Sequence, residues 1–212
     1  MRQRQARLPV TFFFDLASPF TYLAAERVER LISEVRWTPT VADGLPGGLR
    51  GTDALTAVRL KDEAEARAEA LHLPLVWPDP MPSALPAAMR VAAYAVAEGR
   101  GPAFVLAATR LAFCGGFDLD DPDVLAEAAS AASLSRSACR RAAVARSLDA
   151  PMAQAGRRLV TLGADRLPVL RVRRTLFCGE TRVLEAATAA RGTQGPRLGG
   201  PPSGTSGPTL AG

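Results

Sequence analysis

The segment Pro9–Phe14 constrains the fold more than any other part of this sequence. It is a run of β-branched and aromatic residues with no polar alternation. Such a run is typical of a strand that is buried on both faces, because a half-exposed strand alternates apolar and polar side chains. We therefore predict that residues 9 to 14 form a central strand of a sheet.

A helix start follows this strand after a few residues. Ser18 stands directly before Pro19. A serine can cap the free amides of a first helical turn, and a proline in that turn loses no hydrogen bond. The apolar spacing predicts a helix from Pro19 to about Ser33 and a second short strand at Val35–Thr38. A β-α-β order of this kind favours a parallel pair of strands.

Helical patterns dominate the middle of the chain. The density of Gly and Pro predicts a loop at 42–51, and the residues from there to 148 are Ala-rich stretches that prolines interrupt. Asp121 before Pro122 repeats the pattern of a cap followed by proline and predicts a further helix start. The remaining predicted elements are a helix at Met152–Leu162, an antiparallel strand pair at Val169–Val172 and Thr175–Cys178, and a last helix at Glu180–Ala190.

The formal net charge of +5 lies on the two ends of the chain. Residues 1–8 and 191–212 carry five arginines and no acid, whereas residues 9–190 hold equal numbers of basic and acidic side chains. Binding of nucleic acid requires positive charge that is concentrated on a folded surface. We therefore expect no nucleic-acid partner.

Apolar runs and cysteines indicate the compartment. No uncharged apolar run approaches the roughly 20 residues that a membrane helix requires, so we expect a cytoplasmic protein with no membrane partner. Cys114, Cys139 and Cys178 are widely spaced and include no C-x-x-C pair. We predict three buried structural thiols rather than disulfides or a paired-thiol redox centre. No metal-ligand motif is present, and we expect no bound metal.

The end of the chain has a different composition. The residues after Arg191 include seven glycines and four prolines among twenty-one. Such a segment offers too little apolar surface to bury in a core. We predict a disordered Gly/Pro-rich tail at 191–212.

The residues around the first helix start carry a family resemblance. The stretch Phe14–Ala24, with the sequence FDLASPFTYLA, resembles the opening of the 2-hydroxychromene-2-carboxylate isomerases and kappa-class glutathione transferases. These proteins belong to the DsbA-like branch of the thioredoxin fold. Further matching pieces follow in the family's order, so that the resemblance covers about residues 9–190. They are Pro82 with Ala88 and Arg90, Asp118–Leu125, Leu167-Pro168 and Leu176–Arg182.

The resemblance implies an α/β protein with a thioredoxin-like fold and an inserted all-helical domain. Residues 9–40 and 150–190 are expected to form the discontinuous thioredoxin-like domain, and residues 41–149 to form the helical insertion. Dimers are common in the family, so a homodimer is a further expectation.

The resemblance also implies a role for Ser18. This serine stands in the place of the first cysteine of a redox C-x-x-C, and Thr21 stands in the place of the second. Neither hydroxyl can form a disulfide, so a sulfur nucleophile must arrive with a ligand, which in this family is glutathione. A helix N-terminus favours a thiolate, and a hydrogen bond from Ser18 would add about 1.5 to 3 kcal/mol. The alternative is that Ser18 serves only as a helix cap.

Other site residues follow from the matched pieces. The resemblance implies that Pro168 is cis and that the backbone of Leu167 pairs with glutathione like an added strand. Two departures are expected to weaken the binding of glutathione, because Thr181 stands where the family has an acid and Ala84 where it commonly has Asn. The other predicted contacts are Pro19, Phe20 and Glu180 for glutathione, and Arg90 and Trp77 for the substrate.

The function that the resemblance implies is a glutathione-dependent isomerase, or a glutathione transferase, acting on a small aromatic-derived substrate. Ser18 is the predicted catalytic residue. One alternative is a thioredoxin-fold binding protein without catalysis, which the residues Ala84 and Thr181 would explain. A dithiol oxidoreductase is disfavoured because the two cysteines that it needs are missing.

Overall fold

The computed structural model describes residues 9–41, 45 and 53–191. Four of their strands form one sheet: β1 (Val10–Phe14), β2 (Val35–Pro39), β3 (Val169–Val172) and β4 (Thr175–Cys178). The strand order is β2-β1-β3-β4, in which β1 is parallel to β2 and antiparallel to β3, and β3 is antiparallel to β4. The predicted central strand and the predicted parallel pair are thereby confirmed.

Aromatic packing explains why β1 lies inside the sheet. Every residue of β1 is buried. Phe12 and Phe14 point to the same face of the strand, and both rings contact Trp37 of β2 edge-on, at centroid distances of 4.8 and 5.9 Å. The absence of polar alternation in the sequence therefore reflects burial on both faces.

Eight α-helices are found in the described residues. None of these helices combines the length and the hydropathy that a transmembrane span requires. Two short 3₁₀ helices, at Arg146–Leu148 and Glu180–Arg182, accompany them. The α-helices are α1 (Pro19–Leu31), α2 (Ala54–Ala70), α3 (Pro86–Ala97), α4 (Gly101–Phe113), α5 (Pro122–Ala131), α6 (Arg136–Val144), α7 (Asp149–Thr161) and α8 (Val183–Arg191).

Three helix boundaries differ from the predictions by two residues or more. One is the start of α7, which lies at Asp149 rather than at Met152. The first helix ends at Leu31 because Ile32 has an extended backbone, so the chain leaves the helix two residues before Ser33. The sequence predicts that the last helix begins at Glu180. In the structure a 3₁₀ turn occupies Glu180–Arg182, and α8 begins at Val183. Gly179, at a φ of +85°, sets the direction of the chain into this tighter turn. The predicted start at Asp121 is confirmed, because its carboxylate accepts the Asp123 N–H at 2.8 Å.

Helices α2 and α4 of the middle segment pack against α1, and α3 packs against β2. Tyr22 of α1 stacks near Phe113 of α4 and donates its hydroxyl to the Pro74 carbonyl oxygen at 2.9 Å. Burial raises the pKa of Tyr22. The division into domains at 9–40, 41–149 and 150–190 stays a prediction. Most of the predicted loop at 42–51, and the predicted tail after Arg191, lie outside the described residues.

One close approach fixes α7 against the end of β2. Gly156 of α7 lies so near the backbone of Val41 that an added Cβ would overlap the Val41 carbonyl oxygen. We expect Gly156→Ala to lower the free energy of unfolding by about 1 to 3 kcal/mol, because overpacking forces the backbone to shift. Urea unfolding measures this change.

A neighbouring residue provides the control for this substitution. Arg157→Ala changes an exposed side chain on the same helix, so its effect is expected to stay within about 0.5 kcal/mol. Equal stability of Gly156→Ala and wild type would contradict the close approach of α7 to Val41.

Candidate functional site

The first turn of α1 places Ser18 at the N-cap position with its hydroxyl unused by the helix. Ser18 is half-buried, its φ and ψ are −90° and 123°, and its side chain makes no capping hydrogen bond. Its backbone N–H donates to the Asp15 carbonyl oxygen at 3.2 Å, and its carbonyl oxygen accepts the Thr21 N–H at 3.0 Å. The backbone therefore holds the turn, and the hydroxyl remains available for another partner.

Two further polar groups of this turn lack partners in the described part of the chain. Pro19 has no N–H, and the N–H of Phe20 finds no acceptor among these residues. The hydroxyl of Thr21 is fully buried and has no hydrogen-bond partner there. Unpaired donors at a helix N-terminus favour a bound anion, and buried polar groups without a protein partner call for a ligand or water.

A cavity of about 310 Å³ lies next to this turn. The structure brings four of the predicted glutathione contacts together in its wall, namely Phe20, Leu167, Glu180 and Thr181. The Leu167-Pro168 bond is cis, as the resemblance implies. Ser18, Pro19 and Pro168 are not among the residues that line the cavity, but each is within two positions of one that does.

The charged rim of the cavity was missed by the sequence interpretation. Arg166 and Arg182 contribute positive charge, and Glu63 and Asp165 contribute negative charge. Arg166 Nε lies 3.4 Å from Asp165 Oδ2, and Arg166 Nη1 lies 3.9 Å from Glu63 Oε1. All three side chains are about half exposed. A rim with both signs of charge suits a ligand that itself carries charges of both signs.

Glu180 has a different environment from the one predicted for a ligand contact. Its carboxylate is buried and paired with two guanidinium groups, at 3.0 Å from Arg27 Nη1 and in a short contact with Arg67 Nε. The hydrogen bond between Arg67 and Glu180 raises the pKa of Arg67. Both carboxylate oxygens are thus engaged within the protein, and α1, α2 and the 3₁₀ turn meet at Glu180.

The cysteines differ from the prediction of three buried thiols. Only Cys139 is buried, whereas Cys114 and Cys178 are half-buried. Cys178 lines the 310 Å³ cavity because it ends β4 beside Gly179. Burial raises the pKa of its thiol, so the thiol form predominates near neutral pH. All three cysteines are free in this structure.

Arg90, a predicted substrate contact, is held within the protein. Its Nε and Nη2 donate to the two carboxylate oxygens of Asp149, each at 2.7 Å, and its Nη1 donates to the Ala143 carbonyl oxygen at 3.0 Å. This pairing lowers the pKa of Asp149 and raises the pKa of Arg90. Asp149, and not Arg90, lines a second cavity of about 220 Å³ between α3 and α7.

Trp77, the other predicted substrate contact, is part of neither cavity wall. Its Nε1 donates to Glu65 at 2.7 Å, and Lys61 Nζ lies 5.6 Å from the ring centroid. The ring packs edge-on against Phe113. In the described ranges, no group of three or more His, Cys, Asp or Glu side chains could hold a metal ion.

Comparisons with known proteins agree with this architecture. The model of the DSBA-like thioredoxin domain family matches residues 9–183. A structure of a 2-hydroxychromene-2-carboxylate isomerase has a TM-score of 0.72 and 18% identity, over 88% of this chain and 96% of the other. No curated protein matches the chain.

Two oxidoreductase structures are also similar. A probable DsbA oxidoreductase from Streptomyces coelicolor has a TM-score of 0.66 and 21% identity, over 95% of this chain and all (100%) of the other. The cytosolic disulfide reductase DsbM from Pseudomonas aeruginosa, in a structure with GSH, has a TM-score of 0.62 and 16% identity, over 88% of this chain and 98% of the other.

The structural likenesses establish the fold, and the family match establishes the family. The α/β thioredoxin-like fold expected from the resemblance is confirmed. The model of the family spans the sheet, the first helix turn with Ser18 and the Leu167-Pro168 segment. The chain therefore belongs to the DsbA-like thioredoxin domain family.

Proposed function

We propose that this protein is an enzyme that uses glutathione to isomerise or conjugate a small aromatic-derived substrate. One observation carries the proposal: the Ser18 hydroxyl and the Phe20 N–H have no partner in the described part of the chain, next to a cavity that Leu167 also lines. A first helical turn with available donors and no cysteine suits a sulfur anion that comes with a ligand.

Each residue of the site has a defined task in this proposal. Glutathione, when bound, supplies a thiol nucleophile. The Ser18 hydroxyl and the Phe20 N–H donate to its sulfur, and the partial positive charge of the helix N-terminus favours the ionised form. The backbone of Leu167 pairs with the peptide groups of the ligand, and the charged rim binds its ends. The chain thus lowers the thiol pKa and fixes the direction of attack.

Two of the named neighbours support this proposal. One is an isomerase of 2-hydroxychromene-2-carboxylate, and another is a cytosolic disulfide reductase whose structure includes GSH. A cytoplasmic location is part of the proposal because glutathione is abundant there and keeps thiols reduced. Dithiol oxidation by Ser18 and Thr21 is chemically excluded, because hydroxyl groups cannot form a disulfide.

A binding protein without catalysis is the second candidate. The observation that favours it is Thr181, which lines the cavity with an exposed side chain where an acid would grip the α-amino group of glutathione. Without that acid, binding of glutathione depends on the backbone of Leu167 and on the charged rim. Weak binding with no shift of the thiol pKa is what this second function requires.

Calorimetric titration with glutathione tests the proposal. We expect a Kd in the micromolar to millimolar range and a pKa of the bound thiol below that of free glutathione. The ultraviolet absorbance of the thiolate, recorded as pH is varied, measures this pKa. S-methylglutathione is the control ligand, because it has no ionisable thiol and cannot give the absorbance of a thiolate. No binding up to millimolar concentrations would reject the proposed function, and binding with an unchanged thiol pKa would favour the second candidate.

Restoring an acid at Thr181 is expected to tighten the binding of glutathione. Thr181→Asp adds a carboxylate to the cavity wall, and an exposed ion pair with the α-amino group is worth up to about 1 kcal/mol, or about fivefold in Kd. Calorimetry measures the gain. Thr175→Asp, at an exposed position of β4 outside the cavity wall, is the control and should leave Kd unchanged. Equal affinity of both variants would argue against a ligand ammonium near Thr181.

A further inference from the structure

The residues between β1 and α1, at positions 15–18, form the loop that carries Ser18. Two of its N–H groups have acceptors inside the loop. The Ala17 N–H donates to Asp15 Oδ1 at 3.0 Å, and the Ser18 N–H donates to the Asp15 carbonyl oxygen at 3.2 Å. The Leu16 N–H instead donates to the sulfur of Met89 in α3, at 3.3 Å. The first two hydrogen bonds give the β1–α1 loop its shape, and the third attaches it to α3.

The hydrogen bond from Leu16 to Met89 lies in the core. Leu16 is 0% exposed and Met89 is 3% exposed, and 73 positions of sequence separate them. A thioether sulfur is a weak acceptor. A buried N–H without any acceptor, however, bears the full cost of its desolvation, so that even a weak acceptor determines where the group can lie. The sulfur of Met89 therefore fixes the position of the backbone two residues before Ser18.

The helix that carries Met89 is itself held in place. Arg90, the next residue of α3, donates two hydrogen bonds to the carboxylate of Asp149 at the start of α7, each at 2.7 Å. Its third nitrogen donates to the Ala143 carbonyl oxygen of α6 at 3.0 Å. Bidentate pairs of this kind fix geometry as well as contributing energy. Since α3 also packs against β2, the sulfur of Met89 has a defined position relative to the sheet.

We propose that Met89 is a positioning residue, whose sulfur holds the β1–α1 loop so that the Ser18 hydroxyl is directed at the sulfur of bound glutathione. The part of this inference that concerns glutathione rests on the proposed function, whereas the attachment of the loop to α3 does not. In this role Met89 contacts no reacting atom and acts through Leu16 and Ser18. The middle helices thereby take part in setting the geometry of the catalytic turn.

NMR of the free protein tests the attachment of the loop without glutathione. Met89→Leu removes the acceptor at nearly constant side-chain volume. We expect the Leu16 amide proton to shift upfield and its exchange with solvent to become at least about tenfold faster relative to the Phe12 amide of β1. Met152→Leu is the matched control, because Met152 lines the same 220 Å³ cavity as Met89 and is also 3% exposed. It should change neither quantity.

The pKa of the bound thiol separates positioning of Ser18 from packing. Met89→Leu should raise this pKa by about 0.5 to 1, because the Ser18 hydroxyl is no longer directed at the ligand sulfur. The Kd of S-methylglutathione should change by less than about twofold, since its neutral thioether gains little from that hydroxyl. In the Ser18→Ala protein, adding Met89→Leu should leave the thiol pKa unchanged, because Met89 acts through Ser18.

A second probe guards against a packing defect of the leucine. Norleucine, incorporated for methionine in the Met152→Leu protein, places a methylene where Met89 has its sulfur and should reproduce the changes at the Leu16 amide.

The inference and the proposed function fail in different ways. An unchanged Leu16 amide in Met89→Leu, or equal rises of the thiol pKa from this substitution with and without the Ser18 hydroxyl, would overturn the inference. If wild type binds no glutathione, the proposed function is rejected, and a changed Leu16 amide still establishes that the sulfur of Met89 holds the loop.

Discussion

The Ser18→Ala variant is expected to lose between about tenfold and a hundredfold in kcat/KM for glutathione-dependent turnover at neutral pH. A hydrogen bond to a charged group contributes about 1.5 to 3 kcal/mol, which corresponds to one to two pKa units of the bound thiol. The substitution removes a hydroxyl that makes no capping bond, so α1 itself should persist. The absorbance of bound thiolate against pH measures the shift directly.

The pH dependence distinguishes this role from a structural one. Ser18→Ala raises the pKa of the bound thiol, so the deficit is largest below the wild-type pKa and shrinks as pH rises above the variant's pKa, where both proteins hold thiolate. Ser130→Ala, at an exposed position of α5, is the matched control with no expected loss. A deficit of constant size at all pH values would contradict stabilisation of the thiolate by Ser18.

Local sequence patterns were sufficient to predict the strands and the helix start that hold this site. β1, β2 and the hairpin of β3 and β4 agree with the predicted ranges to within one residue, because burial on both faces and tight turns leave a pattern within a few positions. The start of α1 at Pro19 follows from the proline in its first turn, since the Ser18 side chain makes no capping hydrogen bond. The position of Leu167 beside Phe20 follows only from the resemblance, since a contact between distant segments leaves no local pattern.

The charge pairs of the site could not be predicted from the sequence. Arg90 and Asp149 are separated by 59 positions, and Arg67 and Glu180 by 113. Each of these side chains stands in a stretch that is typical of a solvated helix surface or of a first helical turn. Tertiary packing alone decides which of them meet, and it turns Arg90 from an expected ligand contact into the partner of Asp149.

Glu180→Gln is expected to lower the free energy of unfolding by about 3 kcal/mol. Removing one partner of a buried ion pair typically costs about 3 to 5 kcal/mol, because the remaining charge stays buried without compensation. The side chain of Glu180 is 1% exposed, and those of Arg27 and Arg67 are 15% and 32% exposed. Water can reach Arg67 in part, so the lower end of the range applies. Urea unfolding gives the change in the transition midpoint.

The same variant decides whether Glu180 is a structural or a ligand-binding residue. Since both of its oxygens are engaged by Arg27 and Arg67, a structural role predicts that Glu180→Gln, at a temperature where it is folded, retains the wild-type Kd for glutathione. Glu185→Gln removes an exposed pair with Arg182 and should cost less than about 1 kcal/mol. A tenfold loss of affinity in Glu180→Gln with unchanged stability would instead mean that its carboxylate leaves the arginines to bind the ligand.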